Sequence, residues 1–176
     1  SAEDSSATTT DMTPSVNGTW VATLSGDQDG TIYTYQVKIG GEWREAVDPY
    51  VRTATINGRR GVVVNLESTD PSGFRASTSP AFSGKATDAV FYELHVRDLS
   101  VDASSGISNQ YKGKFLALTE AGTHVPGGSA ITGIDAIADL GVTHVQLLPI
   151  YDYNSVDESN DSQFNWGYDP LNYNVV

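Results

Sequence analysis

The run Phe164-Asn165-Trp166-Gly167-Tyr168-Asp169-Pro170 gathers the side chains that recognise a sugar. Indole and phenol rings offer flat apolar faces to the C–H side of a pyranose, while Asn and Asp take the hydroxyls around its rim. Gly167, set between two aromatic residues, lets the backbone come close to a ligand, and Asp169 adds one acceptor. The same composition describes an aromatic cluster plugging a gap between a loop and a barrel rim. Residue types alone leave Asn165, Trp166, Tyr168 and Asp169 open to both readings.

Two other groups could do chemistry. His95, Arg97 and Asp98 stand in "HVRDLS" near the carboxyl end of an expected parallel strand, the end that faces ligands in α/β folds. The plainer reading pairs Arg97 with Asp98 or with nearby loops and makes His95 a hydrogen-bonded scaffold residue. Asp152, Asp157, Glu158 and Asp161 crowd the loop "YDYNSVDESNDSQ". Their spacing does not match a calcium loop with its required glycine, so a solvated acidic loop is expected.

Elements must hold these groups in place. "GTWVATLSGDQDGTIYTYQV" alternates with a two-residue period, which predicts a hairpin of two antiparallel strands joined by a turn-rich connector. Before it, "TTTDM" reads as loop or weak edge strand. "INGRRGVVVNL" carries an Asn57-Gly58 turn signal and a short strand over Val62–Val64. Turns every ten residues or so give this half the look of a β-sandwich module. Residues 67–87 are dense in Ser, Thr, Gly and Pro and read as a surface connector.

Beyond Thr87 the pattern changes to strand, helix, strand. "AVFYELHVRDLS" alternates. "SAITGIDAIADLG" places Ile131, Ile134, Ala138 and either Leu140 or Ile137 on one helical face, with Gly141 as the stop. "VTHVQLLPI" is almost wholly apolar, as strands buried on both faces of a parallel sheet require, and Pro149 ends its ladder. This is the opening of an α/β domain.

Composition bounds the function. The chain has 176 residues, 39% of them hydrophobic and 18% charged, which suits a folded protein. Twenty-two acidic against ten basic residues give a net charge of −12, which disfavours nucleic acid and anionic membrane surfaces as partners. The absence of cysteine excludes disulfides and thiolate zinc sites.

The residues together resemble the type I pullulanases, starch-debranching members of the α-amylase clan. "FNWGYDP" is similar to their "YNWGYDP" signature, with Phe164 in place of the tyrosine. "VFYELHVRDLS", "GVTHVQLLPIYDYNSVDE" and "REAVDPYVRTATINGRRGVVVNLESTDPSGF" resemble further segments of that family in the same order. The resemblance runs from about Asn17 onward. It implies a multi-domain protein, all-β then α/β: residues 1–66 as the rear of a starch-binding-type β-sandwich, 67–87 as linker, and 88–176 as the first βα units of a (β/α)8 barrel. Ser1 is then expected to fall inside the sandwich.

By the same resemblance the parent enzyme is a retaining glycosidase acting on α-1,6 branch points of pullulan, amylopectin or glycogen. Tyr168 would stack on the sugar whose bond is cleaved, with Asp169, Trp166 and Asn165 as substrate contacts. No catalytic residue is expected in this chain, because the family's carboxylates lie on later strands, so the chain alone is expected to be inactive. The alternative is a non-catalytic α-glucan-binding or interaction module. No cofactor is expected; calcium in the parent enzyme is compatible with the resemblance but has no motif here. The expected partners are an α-glucan and either the remainder of the enzyme as a second chain or a swapped copy. The expected location is extracellular or cell-surface, with a cytoplasmic one as the alternative.

Overall fold

The computed structural model describes residues 7–175. The first six residues of the expected amino-terminal loop, and Val176, lie outside them. β1 (Thr13–Pro14) pairs antiparallel with β2 (Trp20–Val21) across a 3-10 turn at Val16–Gly18 in which Asn17 takes φ +56°. The segment "TTTDM", read as loop or weak edge strand, is not strand; β1 begins directly after it.

β3 (Ile32–Tyr33) is followed by the longest antiparallel pair, β4 (Tyr35–Ile39) and β5 (Glu42–Ala46). Gly40 and Gly41 close that hairpin with φ of +60° and +91°, as a two-residue primed turn requires. Lys38 and Trp43 face each other across the strands, the ammonium 5.8 Å from the ring centroid. β6 (Gly61–Val62) returns to pair with β3.

The expected hairpin between the Trp20 and Ile32 stretches is not formed. Alternation fixes which residues share a face, but it does not select the partner strand. Here the connector folds on itself, with Asp29 N–H donating to Asp27 Oδ1 at 3.0 Å. It then docks on the segment after β6, where Asn65 N–H donates to Asp29 Oδ1 at 2.7 Å and Gly30 N–H to the Val63 carbonyl at 2.8 Å.

α1 (Leu66–Thr69) is a single turn capped by Asn65, whose side chain accepts from Glu67 N–H at 3.1 Å. From there to Asp88 the chain is exposed almost throughout, with short 3-10 turns at Phe74–Ala76 and Ala86–Asp88.

β7 (Phe91–Leu94) and β8 (His144–Leu147) run parallel, registered Phe91 to His144 through Leu94 to Leu147, with α2 (Gly133–Asp139) in the crossover. The expected strand, helix, strand order is present. Burial differs in detail: Ile137 is the buried apolar side chain of the helix, whereas Leu140 is 64% exposed. β8 is not buried on both faces either, Val145 being 43% exposed, because among the described residues the parallel pair has no third strand. Leu94, Ile107, Ala117 and Ile137 are the buried apolar side chains of this half, with Val175 near the carboxyl end. β9 (Asp152–Tyr153) and β10 (Pro170–Asn172) close the chain as an antiparallel pair.

The whole is mostly strand with few helices, its strands joined in five two-stranded sheets among the described residues.

Candidate functional site

The aromatic run lies in the loop between β9 and β10, beside the carboxyl ends of β7 and β8. Exposure alternates along it. Asn165 and Gly167 are buried, while Trp166 and Tyr168 are 61% and 58% exposed. The two rings meet edge to face, centroids 6.3 Å apart.

The buried positions are tied down at both strand ends. Asn165 Oδ1 accepts from Gly167 N–H at 2.6 Å, an Asx turn that sets the bend, and its Nδ2 donates to Ser155 Oγ at 2.9 Å. His95, immediately after β7, donates from Nε2 to the Asn165 carbonyl at 2.7 Å. Gly167, at φ +93°, presses on Pro149 after β8, and a Cβ there would sit 2.7 Å from the Pro149 carbonyl oxygen. Only glycine fits both the dihedral and the space. Asn165, expected to contact substrate, thus spends its amide and carbonyl inside the protein and is 7% exposed.

Asp169 follows the second ring. Its Oδ1 is buried without a hydrogen-bond partner, and its carbonyl receives Asn154 N–H at 2.9 Å. Burial opposes its charge, but hydrogen bonds from Ser155 and Asn165 outweigh that and hold the carboxyl below the usual range. Tyr153, whose hydroxyl donates to the Pro149 carbonyl at 3.0 Å, is pushed up by burial and then by the Asp169 charge.

Beside the turn lies a cleft of about 420 Å³, with His95, Arg97 and Lys112 among the lining residues from the loop after β7 and Asp157 and Glu158 among those from the loop after β8. Lys114 bridges the two loops with a 2.9 Å ion pair to Asp161. Among the described residues no group of three or more His, Asp or Glu side chains is placed to hold a metal ion.

No family model matches the chain. It is 41% identical over 169 residues to the pullulanase of Bacillus subtilis, covering 96% of this chain and 22% of that protein. It superposes on the crystal structure of apo pullulanase from Paenibacillus barengoltzii with a TM-score of 0.87 at 54% identity, covering 93% of this chain and 25% of that one. The pullulanase of Bacillus acidopullulyticus gives 0.86 at 47%, over 93% of this chain and 20% of its own. The chain corresponds to a segment of a pullulanase. It spans about a quarter or less of the relatives it matches. The Paenibacillus pullulanase has also been crystallised with maltohexaose and α-cyclodextrin.

Within this pullulanase segment the other candidates fall out unevenly. The scaffold reading of "HVRDLS" holds: Arg97 lies 3.5 Å from Asp98, and His95 is hydrogen-bonded at Nε2 as above. The acidic loop is exposed at Asp157, Glu158 and Asp161, as expected, but Asp152 departs from the expectation. Asp152 is 4% exposed, and its Oδ2 accepts from Asn172 Nδ2 at 2.5 Å. Glu158 and Asp157, though exposed, also clasp Asn57. Asn57 N–H donates to Glu158 Oε2 at 2.6 Å, Glu158 N–H to Asn57 Oδ1 at 2.8 Å, and Asn57 Nδ2 to Asp157 Oδ1 at 3.3 Å. Burial, together with the neighbouring Asp152 carboxyl, pushes the Glu158 carboxyl up against the opposing Asn57 N–H bond. Asn172 Nδ2 also donates to the Gly58 carbonyl at 2.9 Å, so one polar staple ties the Asn57-Gly58 turn to the loop after β8. The turn was legible as Asn-Gly; its partner, about a hundred residues away, carried no local signal.

Proposed function

We propose that this chain is the amino-terminal part of a glycoside hydrolase of the pullulanase type, acting on α-1,6 branch points of pullulan, amylopectin or glycogen by a retaining double displacement. Residues 1–66 belong to the rear of a starch-binding-type β-sandwich, 67–87 to a linker, and 88–176 to the first βα units of the (β/α)8 barrel. The observation that carries the glucan reading is the alternation at 165–168, in which the backbone is anchored at two buried positions and both rings face outward. A cluster whose task was packing would bury its rings, as apolar burial is what stabilises such a cluster.

In this reading Tyr168 stacks on the glucosyl unit at the scissile bond and Trp166 takes a neighbouring face. Asp169, directly after the second ring, is a further acceptor for a sugar hydroxyl. Asn165 shapes the turn from within. By the resemblance the nucleophile and the acid/base belong to later strands, so these 176 residues alone bind glucan without cleaving it. The exposed apolar side chains of β7 and β8, Phe91 and Val145, are covered by the remainder of the enzyme or by a swapped copy. A polymeric substrate suits a protein working outside the cell.

The experiment is a titration of the chain with maltohexaose, read by tryptophan fluorescence, beside an assay for reducing ends released from pullulan. Saturable binding that Tyr168→Ala weakens about tenfold, with no release, is expected. Unchanged affinity in Tyr168→Ala would refute the site, and release of reducing ends would refute the inactivity of the chain alone. The second reading, a module that binds glucan and serves no catalysis, predicts the same binding. It separates from the first in a longer chain, where only the first predicts pullulan hydrolysis.

A further inference from the structure

We propose that His95 is a positioning residue for the aromatic turn: by holding the Asn165 carbonyl at the exit of β7 it sets the angle at which Trp166 and Tyr168 are presented. The consequence for glucan binding rests on the reading of Tyr168 as a sugar contact.

The case is geometric. The His95 side chain is 13% exposed, and a carbonyl oxygen can only accept, so Nε2 carries the hydrogen of the 2.7 Å bond. The ring is fixed from its other side, where Nδ1 accepts from Asp98 N–H at 3.4 Å. It also lies against Phe164, centroids 5.4 Å apart, and Phe164 in turn carries the Arg97 guanidinium at 5.7 Å from its centroid. The segment leaving β7 therefore grips Phe164 and Asn165, directly ahead of the two rings. The segment leaving β8 grips the turn at Gly167 through Pro149. These two join the Asn165–Ser155 and Asn154–Asp169 bonds in orienting the turn, and loss of the imidazole removes the anchor at the exit of β7. The imidazole is the donor that satisfies the Asn165 carbonyl among the described residues, so removing it leaves a buried acceptor unpaired in the turn.

The test uses the full chain with His95→Leu, which keeps bulk without a donor, and His95→Gln, whose amide restores a donor at similar reach. Two readouts are taken: hydrogen exchange of the Gly167 amide and maltohexaose affinity. His95→Leu is expected to speed exchange and weaken binding, each about tenfold, and His95→Gln to bring both back to within about threefold of the parent. In a Tyr168→Ala background, His95→Leu should cost less affinity than it does in the parent, since part of its effect runs through that ring. Equal behaviour of the Leu and Gln variants, or additive losses with Tyr168→Ala, would overturn the proposal. If His95→Leu does not fold, His95→Asn replaces it, because its shorter amide reaches the Nδ1 position only and is expected to fail like Leu. Should Tyr168→Ala leave affinity untouched, the glucan reading falls, and the exchange data still decide whether His95 anchors the turn.

Discussion

Replacing Gly58 by alanine probes the staple between the Asn57-Gly58 turn and the loop after β8. Gly58 has φ +60°, and a Cβ at this position would overlap the Asp152 carboxylate and lie 2.5 Å from Asn172 Nδ2. Two costs follow, and they can be separated. The left-handed backbone costs an alanine roughly 1–2 kcal/mol, partly offset by about 0.4–1 kcal/mol from a stiffer unfolded chain. Displacing Asn172 also breaks its bonds to Asp152 and to the Gly58 carbonyl, leaving a buried carboxylate short of donors at about 1–3 kcal/mol. Gly26 supplies the control, since it has φ +84° with nothing within 4 Å of an added Cβ and bears only the backbone cost. Gly58→Ala should therefore lose about 2 kcal/mol more than Gly26→Ala, a difference of about 1 M in urea midpoint at a slope near 2 kcal/mol per M. Adding Asp152→Ala to Gly58→Ala should cost far less than Asp152→Ala alone, because the colliding carboxyl is gone. Equal midpoints for Gly58→Ala and Gly26→Ala would refute the contact argument outright.

Other outcomes follow from the same geometry. Asn57→Ala removes two side-chain hydrogen bonds, one to the Asp157 carboxylate and one from Glu158 N–H, and should cost about 2 kcal/mol in urea unfolding, whereas Asn17→Ala, in a similar left-handed turn on the exposed surface, should cost about 1 kcal/mol or less. Glu158 has its pKa raised in the folded chain, so its contribution is fully present below the ordinary glutamate value and is lost as pH rises through the folded value. Glu158→Gln, which keeps an acceptor for Asn57 and cannot ionise, should accordingly be more stable than the parent at pH 8 and no more stable at pH 4; a pH-independent difference would count against the assignment. Asp169 works in the opposite sense: its lowered pKa makes its contribution present above the ordinary aspartate value and lost on acidification, so Asp169→Asn should flatten the acid side of the stability profile. Lys114→Ala removes an ion pair whose two side chains are 52% and 79% exposed, and its unfolding midpoint should match the parent within about 0.5 kcal/mol.

What could be read from the sequence was what depends on neighbours in the chain. Alternation over Phe91–Leu94, the α2 segment and the apolar run at His144–Leu147 gave a parallel pair with a helix between, and the register bears this out. The Gly40-Gly41 hairpin is equally local in origin, with two glycines between alternating stretches, although it was not among the expected elements. The misread hairpin at Trp20–Ile32 and the misread burial of Asp152 share one physical origin. A strand's partner and a carboxylate's neighbours are set by tertiary approach, which a one-dimensional pattern does not encode. Charge density marked Asp152 as solvent-facing, yet it is buried against Asn172 and the Asn57-Gly58 turn about a hundred residues earlier.

The aromatic turn shows why the two kinds of information are complementary. Its residue types named the chemistry and left open whether the rings bind or pack. The structure separates the roles position by position, because a turn pinned at alternate residues must turn the others outward. A pinned turn also explains why Asn165 belongs to the motif without reaching a ligand: its side chain closes the bend while its carbonyl takes the imidazole. On the proposed glucan reading, rings held in this way would lose little conformational freedom on binding a sugar, so stacking would contribute to affinity with a small ordering cost. His95 and Pro149 matter on that argument for a reason no motif would reveal. They stand at the ends of the two parallel strands, whose paired backbones frame the turn.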